Sequence, residues 1–286
     1  MSIRTATITA TTTRTIPAML EYDFMRNAFA AAAVVAVVSG VVGYFLVMRG
    51  QTFAGHALAH VGFTGATGAV LIGAAPLWGM VLMTVLAGIG MGVMGERLAQ
   101  RDVAIGIVLA LSLGLGLLFL HFYTAFASQA TTLLFGNVLA VDDVTVWLLL
   151  ALGLLSLAAL GVISRPLLFA SLQPELAEAK GVSLRLYAVL FLVIVALATA
   201  GCAQIVGVLL VFTLMVGPAA AAQRLSGRIG VTILLSAILA LLEAWGGIVL
   251  AFYTDWPASF WITALSATVY LAVTVRHTLS PRLPEA

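Results

Sequence analysis

The sequence predicts an all-α protein: a polytopic membrane helical bundle of about nine transmembrane helices, with its N-terminus outside and its C-terminus cytoplasmic. Three observations carry that prediction. Of 286 residues, 63% are hydrophobic and only 8% charged, about a third of the charged fraction that a soluble domain uses to cover its surface. The apolar residues come in Val/Leu/Ile/Ala-rich runs, too long for buried strands and without the alternation of a transmembrane β-barrel. Only helices satisfy the backbone of such runs in lipid. The cationic residues, finally, fall in alternate connections between the runs, the distribution expected of a chain that crosses a membrane repeatedly.

Along the chain, residues 1–23 form a flexible Thr-rich tail. Its first 20 residues hold seven threonines, Arg4 and Arg14, with no acid before Glu21, and that composition has too little apolar surface to fold alone. It lacks the apolar core of a secretory signal, and Met19 or Met25 would serve as alternative starts. A single transmembrane domain, residues 24–276, follows. Its nine apolar stretches are Phe24–Met48, Ala54–Ala74, Leu77–Gly95, Val103–Phe122, Val144–Ile163, Leu186–Gly201, Ile205–Ala222, Ile229–Phe252 and Ser259–Val275. Residues 277–286 make a short cytoplasmic tail. Small residues are dense inside the stretches: Gly88 and Gly92 in a GxxxG spacing, and Gly62, Gly65 and Gly68 at helical intervals. These let helices pack closely.

Orientation rests on ten cations, Arg49, Arg97, Arg101, Arg165, Lys180, Arg185, Arg224, Arg228, Arg276 and Arg282, all in alternate connections; the other four connections hold none. The ten mark the cytoplasmic side. Arg4, Arg14 and Arg26 oppose this arrangement, softened in part by Glu21 and Asp23. Two connections are long. Ala125–Asp143, outside, carries Thr131, Thr132, Asn137, Asp142 and Asp143, and is expected to hold a short interfacial or re-entrant helix. Residues 167–184, inside, contain a helix start at Pro174-Glu175 and a stop at Gly181, which predicts a surface helix along the cytoplasmic face.

Composition also excludes functions. A net charge of +2 with one lysine, Lys180, gives no patch able to neutralise several phosphates, so nucleic acid is not a partner. The one cysteine, Cys202, permits neither an internal disulfide nor a Cys-rich metal site. Because Lys180 is followed by Gly181, no GxxxxGK[ST] loop exists and the chain carries no ATP site of that type.

Ionisable groups at membrane depth cost about 3 kcal/mol on insertion scales, so each invites a functional reading. His56 and His60, in GHALAH, share one helix face about 6 Å apart along the axis. Counted from Gln51, His60 lies about 14 Å deep, close to the bilayer midplane. Two imidazoles at that spacing can bind one divalent metal ion; the competing reading is a pair of histidines hydrogen-bonded to neighbouring helices. The pair is no zincin motif, because Ala57 stands where HExxH needs its glutamate. No Gly-x-Ser-x-Gly elbow is present either. Glu243 is the one carboxylate well inside a stretch, a third ligand, a proton acceptor or a structural partner. Met80, Met83, Met91 and Met94 can coordinate Cu(I) as thioethers but serve better as flexible filling beside glycines. His121 and Asp255 stand at the outer rim.

The run FAGHALAHVGFTG at 53–65 resembles a signature of the manganese–zinc–iron (metal-chelate) family of ABC-importer permeases, in which a Gly-Asp-x-Leu-x-His segment opens a transmembrane helix. Matches follow in order at Asp102–Ile107, Leu134–Leu139, Pro174–Ala177 with Gly181, Val206–Leu210 leading to Gly217-Pro218-Ala219, and Phe252-Tyr253 before Pro257. The resemblance implies a plasma-membrane (inner-membrane) transport subunit rather than an enzyme. It implies no permanently bound cofactor and a transported divalent metal, with zinc favoured and manganese or iron the other choices. The implied partners are a cytoplasmic ABC ATPase, an extracytoplasmic metal-binding solute-binding protein and a second copy of the chain. It also implies that the cytoplasmic segment docks on the ATPase through Pro174, Glu175, Ala177 and Gly181. The motif histidine matches His60, whereas the motif aspartate falls on His56. An imidazole in place of an oxygen ligand favours zinc, nickel or iron over manganese, and it removes a negative charge that Glu243 would restore. The alternative class is a stand-alone metal transporter or channel driven by an ion gradient; such proteins often show inverted repeats and broken helices, which this sequence does not display.

Overall fold

A computed structural model describes residues 19, 21–94, 98–122, 132–208 and 210–279, with the side chains of 98–101 excepted. Among the described residues all regular structure is helical: α1 (Asp23–Met48), α2 (Thr52–Leu71), α3 (Pro76–Met94), α4 (Leu98–His121), α5 (Asp143–Leu172), α6 (Pro174–Ala179), α7 (Leu184–Val206), α8 (Val211–Leu225), α9 (Ile229–Thr254) and α10 (Ala258–Leu279), with a 3-10 turn at Val138–Ala140. Each apolar stretch contains one helix. Seven of these, in α1, α3, α4, α5, α7, α9 and α10, are long and apolar enough to cross a membrane. The other two fall short for different reasons. α8 has 15 residues, about 22 Å of helix against a hydrocarbon core of about 30 Å. α2 has 20, and its histidines, threonines and glycines dilute its hydropathy.

Several boundaries differ from those the sequence suggests. α5 runs through Pro166 to Leu172 instead of ending at Ile163, so the inner segment 167–184 begins inside a helix. Proline removes one i→i−4 bond, but Leu167, fully buried, and Ala170 pack on the bundle and hold the last turns in place. α7 continues past Gly201 to Val206, and α8 starts at Val211 rather than Ile205. Between them Gly207 adopts φ +87 against Gly136 at φ +75, where an added Cβ on either would collide with the other's backbone, and the Val208 amide donates to the Leu133 carbonyl at 3.2 Å. The outer connection is thereby packed onto the α7–α8 turn. Its residues 123–131, where part of the expected interfacial helix falls, lie outside the described residues; the remainder shows one helical turn at 132–135 and the 3-10 turn. α10 extends to Leu279, beyond the expected limit of 276. Most of the N-terminal tail and residues 280–286 lie outside the described residues.

Local chemistry explains the other ends. Asp142 caps α5 by accepting from the Thr145 amide at 3.1 Å, and Ser183 caps α7 by accepting from the Leu186 amide at 3.4 Å, each satisfying an amide that the first turn leaves unpaired. Arg26 pairs with Asp23 on the exposed first turn of α1 at 3.5 Å.

Lateral contacts set the helix directions. Asn27 donates to Asp143 at 2.7 Å, joining the starts of α1 and α5, and Arg49 donates to Ser171, joining their ends. α9 runs antiparallel to α1, with Trp245 Nε1 donating to the Phe29 carbonyl and Ser236 to that of Gly40. α3 and α7 meet along the GxxxG face: a Cβ on Gly88 would come 2.8 Å from the Leu192 carbonyl oxygen, and one on Gly92 2.6 Å from the Val189 Cα. We expect Gly88→Val to destabilise the detergent-solubilised protein by about 1–3 kcal/mol, the range for overpacking a tight contact, read as a lowered Tm; an unchanged Tm would mean that α3 and α7 do not meet there. Met80 and Met91 are buried and fill the core as expected, whereas Met94 is exposed.

Candidate functional site

The α1–α2 turn positions the paired histidines. Gly50 takes φ +62, and the Gln51 amide donates back to the Leu46 carbonyl at 3.0 Å, so α2 folds sharply onto the end of α1. Gly55 admits the Leu46 side chain, whose Cδ2 would lie 2.7 Å from a Cβ there. One turn further, His56 and His60 stand with ring centroids 4.8 Å apart and planes at 86°. His60 is 5% exposed and His56 half-buried. The Nδ1 of His60 is buried and meets no hydrogen-bond partner among the described residues. A buried imidazole nitrogen left open is costly if it only packs helices, but it suits a site that receives a ligand. The separation lets one ion sit about 2.1 Å from a nitrogen of each ring, once one ring turns about its soft χ2 from the edge-to-face arrangement.

Phe212 completes the surroundings. Its ring lies 5.5 Å from that of His56 at 83°, carried there because α8 begins just after the Gly207 break. Nothing in the sequence separates Phe212 from the other apolar aromatics except that Val206-Gly207 interrupts its stretch five residues earlier. One turn beyond His60 on α2, the Thr64 hydroxyl donates to the Ser112 carbonyl and fixes α2 against α4.

Glu243 does not join the pair. It is 2% exposed, on α9, which packs against α1, α8 and α10. Among the described residues its buried carboxylate oxygens accept no hydrogen bond; the Ser266 hydroxyl lies beside them but donates to the Thr213 carbonyl at 3.2 Å. Among the described residues, no group of three or more His, Cys, Asp or Glu stands close enough to hold a metal, so no third residue of those types joins the two histidines there.

At the end of the bundle where α1 and α5 finish, α6 is an exposed helix with one inward anchor. Pro174 occupies its first turn, Glu175 and Leu176 are exposed, Ala177 is fully buried, and Gly181 closes it at φ +81. At the opposite end are two clefts of about 500 and 180 Å³ that share Thr132 and Asn137. His121 and Asp255 are exposed at that end.

A buried and a half-buried imidazole one turn apart inside an apolar bundle, with clefts at one end and an exposed short helix at the other, fit a membrane-embedded transport protein. The chain belongs to the ABC 3 transport family, whose model matches residues 21–277. It is 29% identical over 253 residues to the manganese transport system membrane protein MntC of Halalkalibacterium halodurans, covering 88% of this chain and 87% of that protein. It is 30% identical over 260 residues to the manganese import system permease protein ScaB of Streptococcus gordonii, covering 90% and 92%. Its fold superposes on a chain of PsaBC from Streptococcus pneumoniae, solved in complex with Fab, with a TM-score of 0.81 and 27% identity over 90% of this chain and 93% of that one. It is thus a multi-pass membrane protein of a transport family and not itself an enzyme.

Proposed function

We propose that this chain is the transmembrane subunit of an ATP-driven importer of divalent transition metal ions, working as a homodimer with a separate ABC ATPase and an extracytoplasmic solute-binding protein. The observation that carries this is the open Nδ1 of His60 one helical turn from His56, with the rings 4.8 Å apart. α2 and α8 count as spans in this reading, since both pack within the bundle against helices long enough to cross it. That makes nine crossings, with the N-terminus outside and the C-terminus inside. The ion enters through the outer clefts near Asn137, pauses at His56 and His60, and is released inward when the ATPases displace α6 through Pro174, Glu175, Ala177 and Gly181. Binding has to stay weak enough for release. Glu243 acts elsewhere on the path, supplying negative charge that two neutral imidazoles lack. Zinc is the favoured cargo on ligand chemistry; the relatives named for manganese make that ion the principal competitor, with iron third.

The test is reconstitution with the partner ATPase in proteoliposomes and uptake of zinc, manganese and iron. Uptake requiring ATP is expected, and uptake indifferent to the ATPase would overturn the reading in favour of a stand-alone transporter. Replacing residues 174–181 by a Gly/Ser linker is expected to abolish co-purification with the ATPase, leaving the permease folded; retained binding would place the docking surface elsewhere.

A further inference from the structure

Arg49 leaves the C-terminal end of α1 and reaches across to two other helices. Its Nη1 donates to the Ser171 hydroxyl, which in turn donates to the Leu167 carbonyl at 2.6 Å. Its guanidinium carbon stands 5.4 Å from the centroid of the Phe191 ring, which is fully buried on α7. One cation thus joins α1, α5 and α7. The place suits it: the ends of α1 and α5 present carbonyls at the negative pole of each helix, and an aromatic face attracts a guanidinium. In a part-buried position these attractions are screened less than at an open surface.

What this cation connects is specific. Ser171 lies in the last turn of α5, three residues before Pro174 opens α6. On the other side, Arg49 is followed directly by the Gly50 turn, and the Gln51 amide is fastened to the Leu46 carbonyl. Leu46 fills the space beside Gly55, the residue before His56. A continuous set of contacts therefore runs from the start of α6 through Ser171 and Arg49 to the turn that carries the histidines.

We infer that Arg49 is a positioning residue that transmits displacement of α6 to the histidine pair, coupling ATP use to release of the ion; this rests on the importer reading and on α6 as the ATPase-docking helix. A planar guanidinium can hold the hydroxyl and the ring together, whereas a lysine ammonium is a point charge on a flexible stem and holds them less firmly. Tethering therefore tracks the side chain's shape as well as its charge.

The experiment measures zinc taken up per ATP hydrolysed by the permease–ATPase complex in proteoliposomes, for the wild type, Arg49→Ala, Arg49→Lys and Ser171→Ala. All four are expected to co-purify with the ATPase and to hydrolyse ATP. Zinc per ATP is expected to fall at least tenfold in Arg49→Ala and severalfold in Ser171→Ala, with partial recovery in Arg49→Lys. A purely structural role would lower the yield of complex while leaving that ratio unchanged. Should Arg49→Ala fail to assemble, Ser171→Ala decides: a wild-type ratio in it overturns the inference. A wild-type complex that takes up no zinc or manganese with ATP overturns the importer reading and this inference together, whereas an active wild type with unaltered variants overturns the inference alone.

Discussion

His60→Ala is expected to abolish metal uptake while leaving expression and ATPase association intact. The argument rests on an asymmetry in what the ring does now. If His60 knitted helices together, removing it would strip a buried hydrogen bond and destabilise the bundle, since orphaning a buried partner costs about 1–3 kcal/mol. Among the described residues its Nδ1 has no such partner. Truncation therefore removes an unmet polar group and leaves a small void, two effects of opposite sign, and Tm in detergent should move by about 4 °C or less. The metal site loses half its imidazole donors. His56 alone, half-buried beside Phe212, cannot hold a dication against its hydration, so uptake is expected to drop more than a hundredfold. Normal uptake by His60→Ala would end the ligand assignment; a collapse of Tm without a prior loss of uptake would return the pair to a packing role.

How much of this was readable in advance follows from which forces were local. The apolar runs had to be helices because lipid offers the backbone no other partner, and each run does contain one. The i, i+4 pair was legible because both residues ride on one helix, so spacing alone put His56 and His60 on one face. The helix start at Pro174 and the stop at Gly181 are legible for the same reason: proline and glycine act through their own backbone. What failed were the positions decided by packing between distant segments. The apolar stretch ends at Ile163 in the sequence, but buried Leu167 and Ala170 carry α5 through Pro166 to Leu172. The break at Gly207 depends on Gly136, 71 residues earlier, and no window of sequence contains both. Phe212 reaches His56 only because of that break. Glu243 reads from chemistry as a third ligand, a proton acceptor or a structural partner, and only tertiary structure shows that, among the described residues, no third His, Cys, Asp or Glu stands with the pair. Arg49 was legible as a charge on one side of the membrane; that the same charge joins three helices is a fact of tertiary structure.

His56→Asp is expected to shift the transported ion from zinc toward manganese. The substitution places at this position the residue type that the resembling Gly-Asp-x-Leu-x-His segment carries, and it changes two things at once. An oxygen donor replaces nitrogen, which favours manganese relative to zinc because carboxylate suits the harder ion and imidazole the softer. A full negative charge also enters a half-buried position, where it attracts any dication more strongly than in water. That second effect strengthens both ions alike and cannot by itself alter selectivity. The informative quantity is therefore the ratio of zinc to manganese uptake in competition, expected to fall at least tenfold, equivalent to about 1.4 kcal/mol. Aspartate is also shorter than histidine, so the 5.5 Å contact with Phe212 is lost and the ion's seat moves toward the axis of α2, a change that lowers total uptake without touching the ratio. His56→Ala separates the two: it loses uptake of both ions, because it supplies neither donor nor charge. A zinc-to-manganese ratio unchanged in His56→Asp would show that discrimination is exercised elsewhere on the path, with the isolated carboxylate of Glu243 the next group to vary.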